Sequence, residues 1–303
     1  MIYFIVNPAA GSGKAATAVP IIEKIMRGHN AEYSFIFTNG PGDFARVSSL
    51  IDFDTARAVV CVGGDGTSQE YVGLAVGKDI KFGVVPAGSG NDLLYSMPGG
   101  ELLRSNQFKV NTFEEKTAFH AEKIIRGDTM HADAVLLNGE KYFFNIAGTG
   151  IDIQVVKDAL PLKKFFGGAS YFLSLMKNVV TYKTDEITLT VDDNRETDKF
   201  LLLAVCNGAY YGGNMRIAPP AIINDGFITL CKVKKMPRFK MMMMFPRVKS
   251  GGHSRLEEVS FINCSSVKLE FDGRKTINLD GNLCEYASPL IFEIVKNAVK
   301  FIV

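Results

Sequence analysis

The chain has 303 residues, 47% of them hydrophobic and 22% charged, with a formal net charge of +2. That length suits two domains better than one core, and the composition is that of an ordinary globular protein. So small a charge, with no Lys/Arg run interleaved with aromatics, argues against a nucleic-acid binder. Cys61, Cys206, Cys231, Cys264 and Cys284 are scattered and form no C-x-x-C pair, which suits a reducing compartment without structural zinc. The chain opens on a strand rather than a basic leader, and no stretch is apolar enough to cross a bilayer. A cytoplasmic protein, free to touch a membrane surface peripherally, is expected.

Residues 2–6 read as a buried strand, followed by Asn7-Pro8-Ala9-Ala10-Gly11-Ser12-Gly13-Lys14 and a helix through Ile21, Ile22 and Ile25. A Walker A loop fails here, because Pro8 stands where it needs Gly and Ala15 where it needs Ser or Thr. Gly11, Gly13 and Ala16 fit the dinucleotide fingerprint, yet the next strand, 33–37, ends in Thr38-Asn39-Gly40-Pro41-Gly42 without the ribose-binding acid. A plain turn explains this loop equally well. Residues 43–51 read as a helix.

The strand 59–62 then runs into Gly63-Gly64-Asp65-Gly66-Thr67-Ser68-Gln69. The three glycines allow positive φ and close approach to something bulky, and they leave Asp65 exposed between them. Thr67 or Ser68 can cap the helix that follows. Such a strand–turn–helix aims N–H groups at one point and suits phosphate, with turn geometry alone as the competing explanation. A further strand, 81–85, leads into Pro86-Ala87-Gly88-Ser89-Gly90-Asn91-Asp92. Strands alternating with helices imply a parallel sheet, so the loops 7–14, 38–43, 63–69 and 87–92 share its carboxyl edge, where open α/β sheets bind nucleotides.

In this order and spacing the loops 7–14, 63–67 and 86–92 resemble the diacylglycerol kinase catalytic domain, above all the soluble bacterial lipid kinases related to sphingosine and ceramide kinases. Gly-Gly-Asp-Gly-Thr is shared with NAD kinases, whereas the Asn-Pro opening and the Gly-Asn-Asp loop favour the lipid branch. The resemblance covers nearly the whole chain. It implies a three-layer α/β domain with a parallel sheet over 1–121, to which 297–303 returns, and a larger all-β antiparallel sandwich over 122–296, with the cleft between them.

Short alternating stretches fit that sandwich: 121–126, 130–137, 142–146, 187–191, 199–206, 226–232, 266–271 and 275–279, with turn signals at Asn138-Gly139, Asp192-Asp193-Asn194 and Asp272-Gly273. A helical insertion, 162–182, carries Phe165, Phe166, Tyr171 and Phe172 beside Lys163 and Lys164; packing onto the sandwich is the plainer reading, a lipid-pocket wall the functional one. The segment 232–249 sets Met241, Met242, Met243, Met244 and Phe245 among Lys234, Lys235, Arg238, Lys240, Arg247 and Lys249. A solvated helix with one Met-packed face explains it, and so does an anionic membrane surface. The four histidines share no metal-ligand spacing.

Beyond the fold, the resemblance implies ATP and Mg2+ as cofactors and a lipid hydroxyl, diacylglycerol or a relative, as acceptor. It places nucleotide contacts at Asn7, Thr38, Gly63, Gly64, Asp65, Gly66, Thr67, Ser68, Gln69 and Ser89. Asp65 and Asp92 would organise a catalytic Mg2+, since bare carboxylates repel phosphate, and Asp280 would accept the proton of the acceptor hydroxyl. A structural Mg2+ would take the Asp225 side chain and the Ile222 and Phe227 carbonyls; without the resemblance, 224–226 is merely a hairpin turn. The chain departs from the pattern at Asn214, where relatives often carry glycine, and at Asn282, where they carry Glu. An amide accepts no proton, so Asn282 opens the reading of a weakened, ATP-binding regulator. An NAD kinase-like soluble kinase and a nucleotide-binding oxidoreductase are rival readings, and a homodimer stays open.

Overall fold

β1 (Ile2–Val6), β2 (Tyr33–Phe37), β3 (Ala58–Gly63) and β4 (Lys81–Pro86) form a parallel sheet in the order β2-β1-β3-β4. In this computed structural model residues 1–88, 90–98, 112–166 and 169–303 are described, with side chains at all of them except 160, 162–166 and 169–172. Side chains alternate along each strand, and here both faces are covered. Tyr3, Ile5, Val59 and Cys61 join one core with Val47 and Tyr71, whereas Phe4, Val6, Val60 and Val62 join another with Ala18, Ile22 and Ile124. The helices responsible are α1 (Lys14–Gly28), α2 (Phe44–Ser49), α3 (Asp65–Tyr71), α4 (Asp92–Ser96) and α5 (Phe113–Arg126).

α5 corrects the strand expected at 121–126. Thr112 and Glu115 form a capping box, each side chain bonding the other's backbone N–H at 3.1 Å, and Gly127 closes the helix at φ +68°. The short alternation at its end is the tail of a helical period that buries Thr117, Ala121 and Ile124.

The second half is a sandwich built of β5 (Thr129–Leu137), β6 (Lys141–Phe143), β7 (Ile146–Gly150), β8 (Glu186–Val191), β9 (Asn194–Cys206), the short β10 (Tyr210–Tyr211) and β11 (Met215–Arg216), β12 (Ile228–Lys234), β13 (Val259–Cys264), β14 (Ser266–Glu270), β15 (Arg274–Leu279), β16 (Asn282–Ala287) and β17 (Leu290–Ile302). The strand expected at 142–146 is two strands, β6 and β7, separated by a turn at Phe144 and Asn145. β13, β16 and β17 carry residues the alternation pattern did not mark as strands.

Two 13-residue strands join the layers. The first half of β9 pairs with β8, and its second half pairs with β7 and β12. β17 pairs with β14 and β5 and then, at Lys300 and Phe301, runs parallel to Lys81 and Phe82 of β4. Leu203 and Val205 of β9 face the sandwich core, while Leu202 and Ala204 face three helices: α6 (Ile151–Phe166), α7 (Ala169–Thr181) and α8 (Arg238–Val248). The aromatic side chains of the expected 162–182 insertion at 165, 166, 171 and 172 lie outside the described residues.

The glycines after β3 act differently from expectation. None of Gly63, Gly64 or Gly66 has positive φ. They are small because other groups touch them: a Cβ on Gly88 would sit 2.5 Å from the Gly64 Cα, and one on Gly66 would sit 2.9 Å from Asn282 Oδ1. Gly11 combines both demands, with φ +60° and a Cβ position 1.9 Å from the Ala87 carbonyl oxygen. Three loop backbones therefore pack directly on one another at the carboxyl edge. Gly88→Ala should force the loops after β3 and β4 apart and lower stability by about 1–3 kcal/mol, the usual cost of overpacking. Thermal denaturation checks this, and an unchanged midpoint would mean that the loops have slack.

Candidate active site

At the carboxyl edge of β1–β4 lies a cleft of about 980 Å³ whose far wall is β6 and the start of β16. Its floor is largely backbone, because Gly11, Gly64, Gly66, Gly88 and Gly90 line it. Asn7 ties the loops after β1 and β3 together. Its Nδ2 donates to Thr67 Oγ1 at 3.2 Å, its Oδ1 accepts from Ala9 N–H at 3.2 Å, and its N–H bonds the Val62 carbonyl. Thr38, 7% exposed, lines the cleft and hangs by its N–H from the Val6 carbonyl. The loop after β2 is held by Glu70, which accepts the Gly42 N–H at 2.7 Å.

Asp65 opens α3 with Gly64 as its N-cap, three or four residues before the expected Thr67 or Ser68 cap. The Asp65 side chain is half-buried rather than exposed, and Oδ1 accepts the Leu93 N–H at 3.2 Å. Asp92 opens α4 and reaches across to the second domain, where it accepts the N–H groups of Gly213 at 2.8 Å and Asn214 at 2.5 Å. The two Oδ2 atoms converge, since a Cβ on Gly90 would lie 2.8 Å from that of Asp65 and 3.3 Å from that of Asp92. Among the described residues neither carboxylate has a Lys or Arg partner. Burial raises the Asp65 carboxyl above its ordinary range against the pull of four backbone N–H groups. Burial, and then the charge of Asp65, push Asp92 up to about 6.

Asp280, only 8% exposed, turns inward at φ +46°. Its carboxylate gathers the N–H groups of Phe144, Asn145 and Ile146 at 2.6–3.1 Å and so makes the break between β6 and β7. Burial dominates and pushes it up to about 7, opposed by those N–H groups and helped by Asp65. Asn145 carries the contact onward: its Oδ1 accepts from Ser96 Oγ at 2.7 Å, and Ser96 ends the helix that Asp92 begins. Asn282 faces the other way. Its amide donates to Gln69 Oε1 at 2.9 Å and to the Gly66 carbonyl at 3.4 Å, clasping the sandwich to α3. A carboxylate could not donate either bond.

The family model for the diacylglycerol kinase catalytic domain matches residues 1–137, and that for the YegS C-terminal NAD kinase beta sandwich-like domain matches 145–303. The chain belongs to the diacylglycerol kinase family. It is 27% identical over 293 residues to a diacylglycerol kinase of Mycobacterium tuberculosis, spanning 95% of this chain and 89% of that one. Against a diacylglycerol kinase of Bacillus subtilis it is 27% identical over 256 residues, spanning 83% and 77%. A crystal structure of a diacylglycerol kinase from Bacillus anthracis shares the fold, with a TM-score of 0.70 at 19% identity over 99% of this chain and 96% of that one. The family is one of phosphotransferases.

Of the nucleotide contacts that the family resemblance implied, Asn7, Thr38, Gly64, Asp65, Gly66, Thr67 and Gln69 line this cleft. Gly63 and Ser68 sit behind its wall, where Gly63 receives the Ala87 N–H and Ser68 is 2% exposed. Ser89 lies outside the described residues. Ile222, Asp225 and Phe227 share one turn apart from the cleft lining. There Asp225 Oδ1 accepts the Phe227 N–H at 3.0 Å, and the buried Asp133 holds the turn from behind through Gly226. One Asp225 oxygen and the Phe227 carbonyl remain, with the Ile222 carbonyl accepting the Asp225 N–H at 3.4 Å and keeping a second lone pair, a donor set that fits a hard cation completed by water. Three cleft residues escaped the sequence reading: Lys141, the basic side chain among the described lining residues; Phe44, stacked on Tyr71 at 6.1 Å; and Tyr142. Lys141 sits at the start of a three-residue strand with no motif around it, so nothing local marks it.

The raised carboxyls have a pH signature. Each has an ordinary value of 3.8 and binds its proton more tightly in the fold. The resulting stabilisation is complete below that value and is lost as pH rises through about 6 at Asp92 and about 7 at Asp280. In chelator, the melting temperature should fall between about pH 5 and pH 8, and Asp92→Asn should flatten part of that fall. Melts across pH test this, and a flat profile would mean the carboxyls are not desolvated.

Proposed function

We propose that this protein is an ATP-dependent lipid kinase that transfers the γ-phosphoryl group of ATP to a lipid hydroxyl such as that of diacylglycerol. The observation that carries the reading is a glycine-floored cleft between the two domains with Asp65 on its lining and the buried Asp92 carboxylate converging on it from behind, neither with a Lys or Arg partner among the described residues. Phosphoryl transfer asks a protein chiefly for positioning and charge neutralisation. Bare backbone at Gly64, Gly66 and Gly88 lets a polyphosphate approach closely, and Asn7 and Thr67 offer polar contacts at its edge. Two carboxylates with no basic partner fit a hard divalent cation, and Mg2+ held there would offset the charge on the transferring phosphoryl oxygens. Lys141 adds a positive charge from the opposite wall, and the exposed ring of Phe44 offers an apolar face to the base.

Asp280 is the proton acceptor in this reading. Its proton affinity near neutrality suits a general base. Its oxygens are held by the 144–146 turn, so reaching an acceptor hydroxyl requires that turn to release one of them. Catalytic hydrogen bonds commonly tighten only in the substrate complex. Asn282 serves the site as a clasp, its amide joining the sandwich to α3. The Asp225 turn is assigned to a structural Mg2+ on its donor set.

The deciding experiment is incubation with γ-labelled ATP, Mg2+ and separate micelles of diacylglycerol, ceramide and sphingosine. Label is expected in phosphatidate, and label in no lipid would overturn the proposal. Asp65→Ala should abolish turnover while remaining folded, and Lys141→Ala should raise the KM for ATP roughly tenfold, the scale of one lost charge-assisted bond.

Asp280 has its own test in the pH–rate profile. Turnover should rise with pH through about 7 as the carboxyl ionises. Asp280→Asn should lose that limb and fall by roughly 10²–10⁴-fold. A mutant that keeps the limb would place the base elsewhere and leave Asp280 the holder of its turn.

A further inference from the structure

α8 has two apolar faces. Met241, Met244 and Val248 are buried against the sandwich with Val179 of α7. On the opposite side Phe239 is 72% exposed, Met242 51% and Met243 45%. At about 100° per residue, Phe239, Met242, Met243 and Pro246 fall within an arc of roughly 100° that points to solvent. Phe239 is the most exposed large apolar side chain among the described residues.

Basic groups flank this stripe on both sides. By the same rotation Arg247 and Lys240 stand along one edge, with Arg238 and Lys249 along the other, and Lys235 precedes the helix. Lys240 is paired with Glu258 at 2.6 Å and Lys234 with Asp198 at 3.2 Å. Lys235, Arg238 and Arg247 form no ion pair among the described residues and are exposed. An outward apolar stripe rimmed by unneutralised cations matches the two signals that a reversible interfacial contact needs, apolar insertion and attraction to anionic headgroups. A second copy of the chain fits less well, because a twofold contact would oppose Arg238 and Arg247 to their own counterparts.

We propose that the outer face of α8 is a membrane-docking surface. It seats Phe239, Met242 and Met243 at the acyl boundary of an anionic bilayer, with Lys235, Arg238 and Arg247 on its headgroups. The inference rests on the lipid kinase reading for its purpose and on the exposed stripe for its substance. The helix is also coupled to the catalytic end of the molecule. The turn after it packs on the segment 216–219, where His253 Nε2 meets the Ile217 carbonyl at 2.9 Å and Gly251 lies against Pro219. A few residues upstream, Gly213 and Asn214 are the groups held by Asp92. The turn after α8 therefore connects the docking helix to the segment that leads from the loop Asp92 holds.

Flotation with phosphatidylcholine vesicles, with and without phosphatidylserine, tests the proposal at low ionic strength. The wild type should float only with the anionic vesicles and lose them as salt rises. Lys235→Gln/Arg238→Gln/Arg247→Gln should weaken partitioning roughly a hundredfold, each basic group near such a surface being worth about fivefold. Phe239→Ser/Met242→Ser/Met243→Ser should weaken it as well, at every salt concentration. Both triple variants should melt like the wild type and phosphorylate a short-chain, water-soluble diacylglycerol at its rate, losing turnover only on long-chain lipid in vesicles. A wild type that does not float, or an apolar triple variant that floats as well as the wild type, overturns the proposal. So does conversion of a dimer to a monomer by that variant with flotation intact, which would assign the face to a second copy. Failure to phosphorylate any lipid, with flotation behaving as described, would sink the kinase reading and leave the docking surface standing.

Discussion

The structure turns on the Asp92 carboxylate. It is buried at the head of α4, faces Asp65 with no Lys or Arg paired to either among the described residues, and reaches out of its own domain to two N–H groups of the 210–216 loop. A buried charge is tolerable only when it is hydrogen-bonded or paired. Those two donors from the second domain supply part of that satisfaction, so the arrangement of the domains and the state of the two carboxylates are one problem. Asn214 shows how far the loop is shaped to this end: it holds φ +77°, a left-handed conformation that Asn tolerates better than most residues, and presents its N–H to Asp92.

The rest of the junction supports that contact from several directions. β17 runs from the sandwich into the parallel sheet, so the domains share a backbone ladder rather than a linker. Asn282 donates across the cleft to Gln69 and Gly66, and Asn145 links the Asp280 turn to Ser96 at the far end of α4. Each of these is a directional bond between groups on different domains. Together they leave little freedom for one domain to slide along the other, which is what a site assembled from both domains requires.

Asp280 illustrates the tension between holding and reacting. Three N–H groups stabilise its charge, yet burial outweighs them and keeps its proton affinity near neutrality. The same contacts that shape the 144–146 turn occupy the oxygens a base would use. A group so placed changes the geometry around it when it changes protonation state, because a protonated carboxyl has an O–H that those N–H donors cannot accept.

The parallel sheet, its glycine-rich edge and the alternating strands of the sandwich were legible in the sequence, because each depends on local chemistry. Runs such as Val59-Val60-Cys61-Val62 report burial on both faces, and clustered glycines report a backbone that something must approach. What the glycines approach was not legible: Gly66 is small for the sake of Asn282, and Gly64 for Gly88. The burial of Asp280, the clasp of Asn282 on Gln69 across 213 positions, the place of Lys141 in the cleft and the outward stripe of α8 were likewise decided by the tertiary structure. Residue type and spacing report the period of an element and the conformations its backbone can reach. Which face of that element meets another, and which distant donor meets a given carboxylate, depends on how the two domains pack.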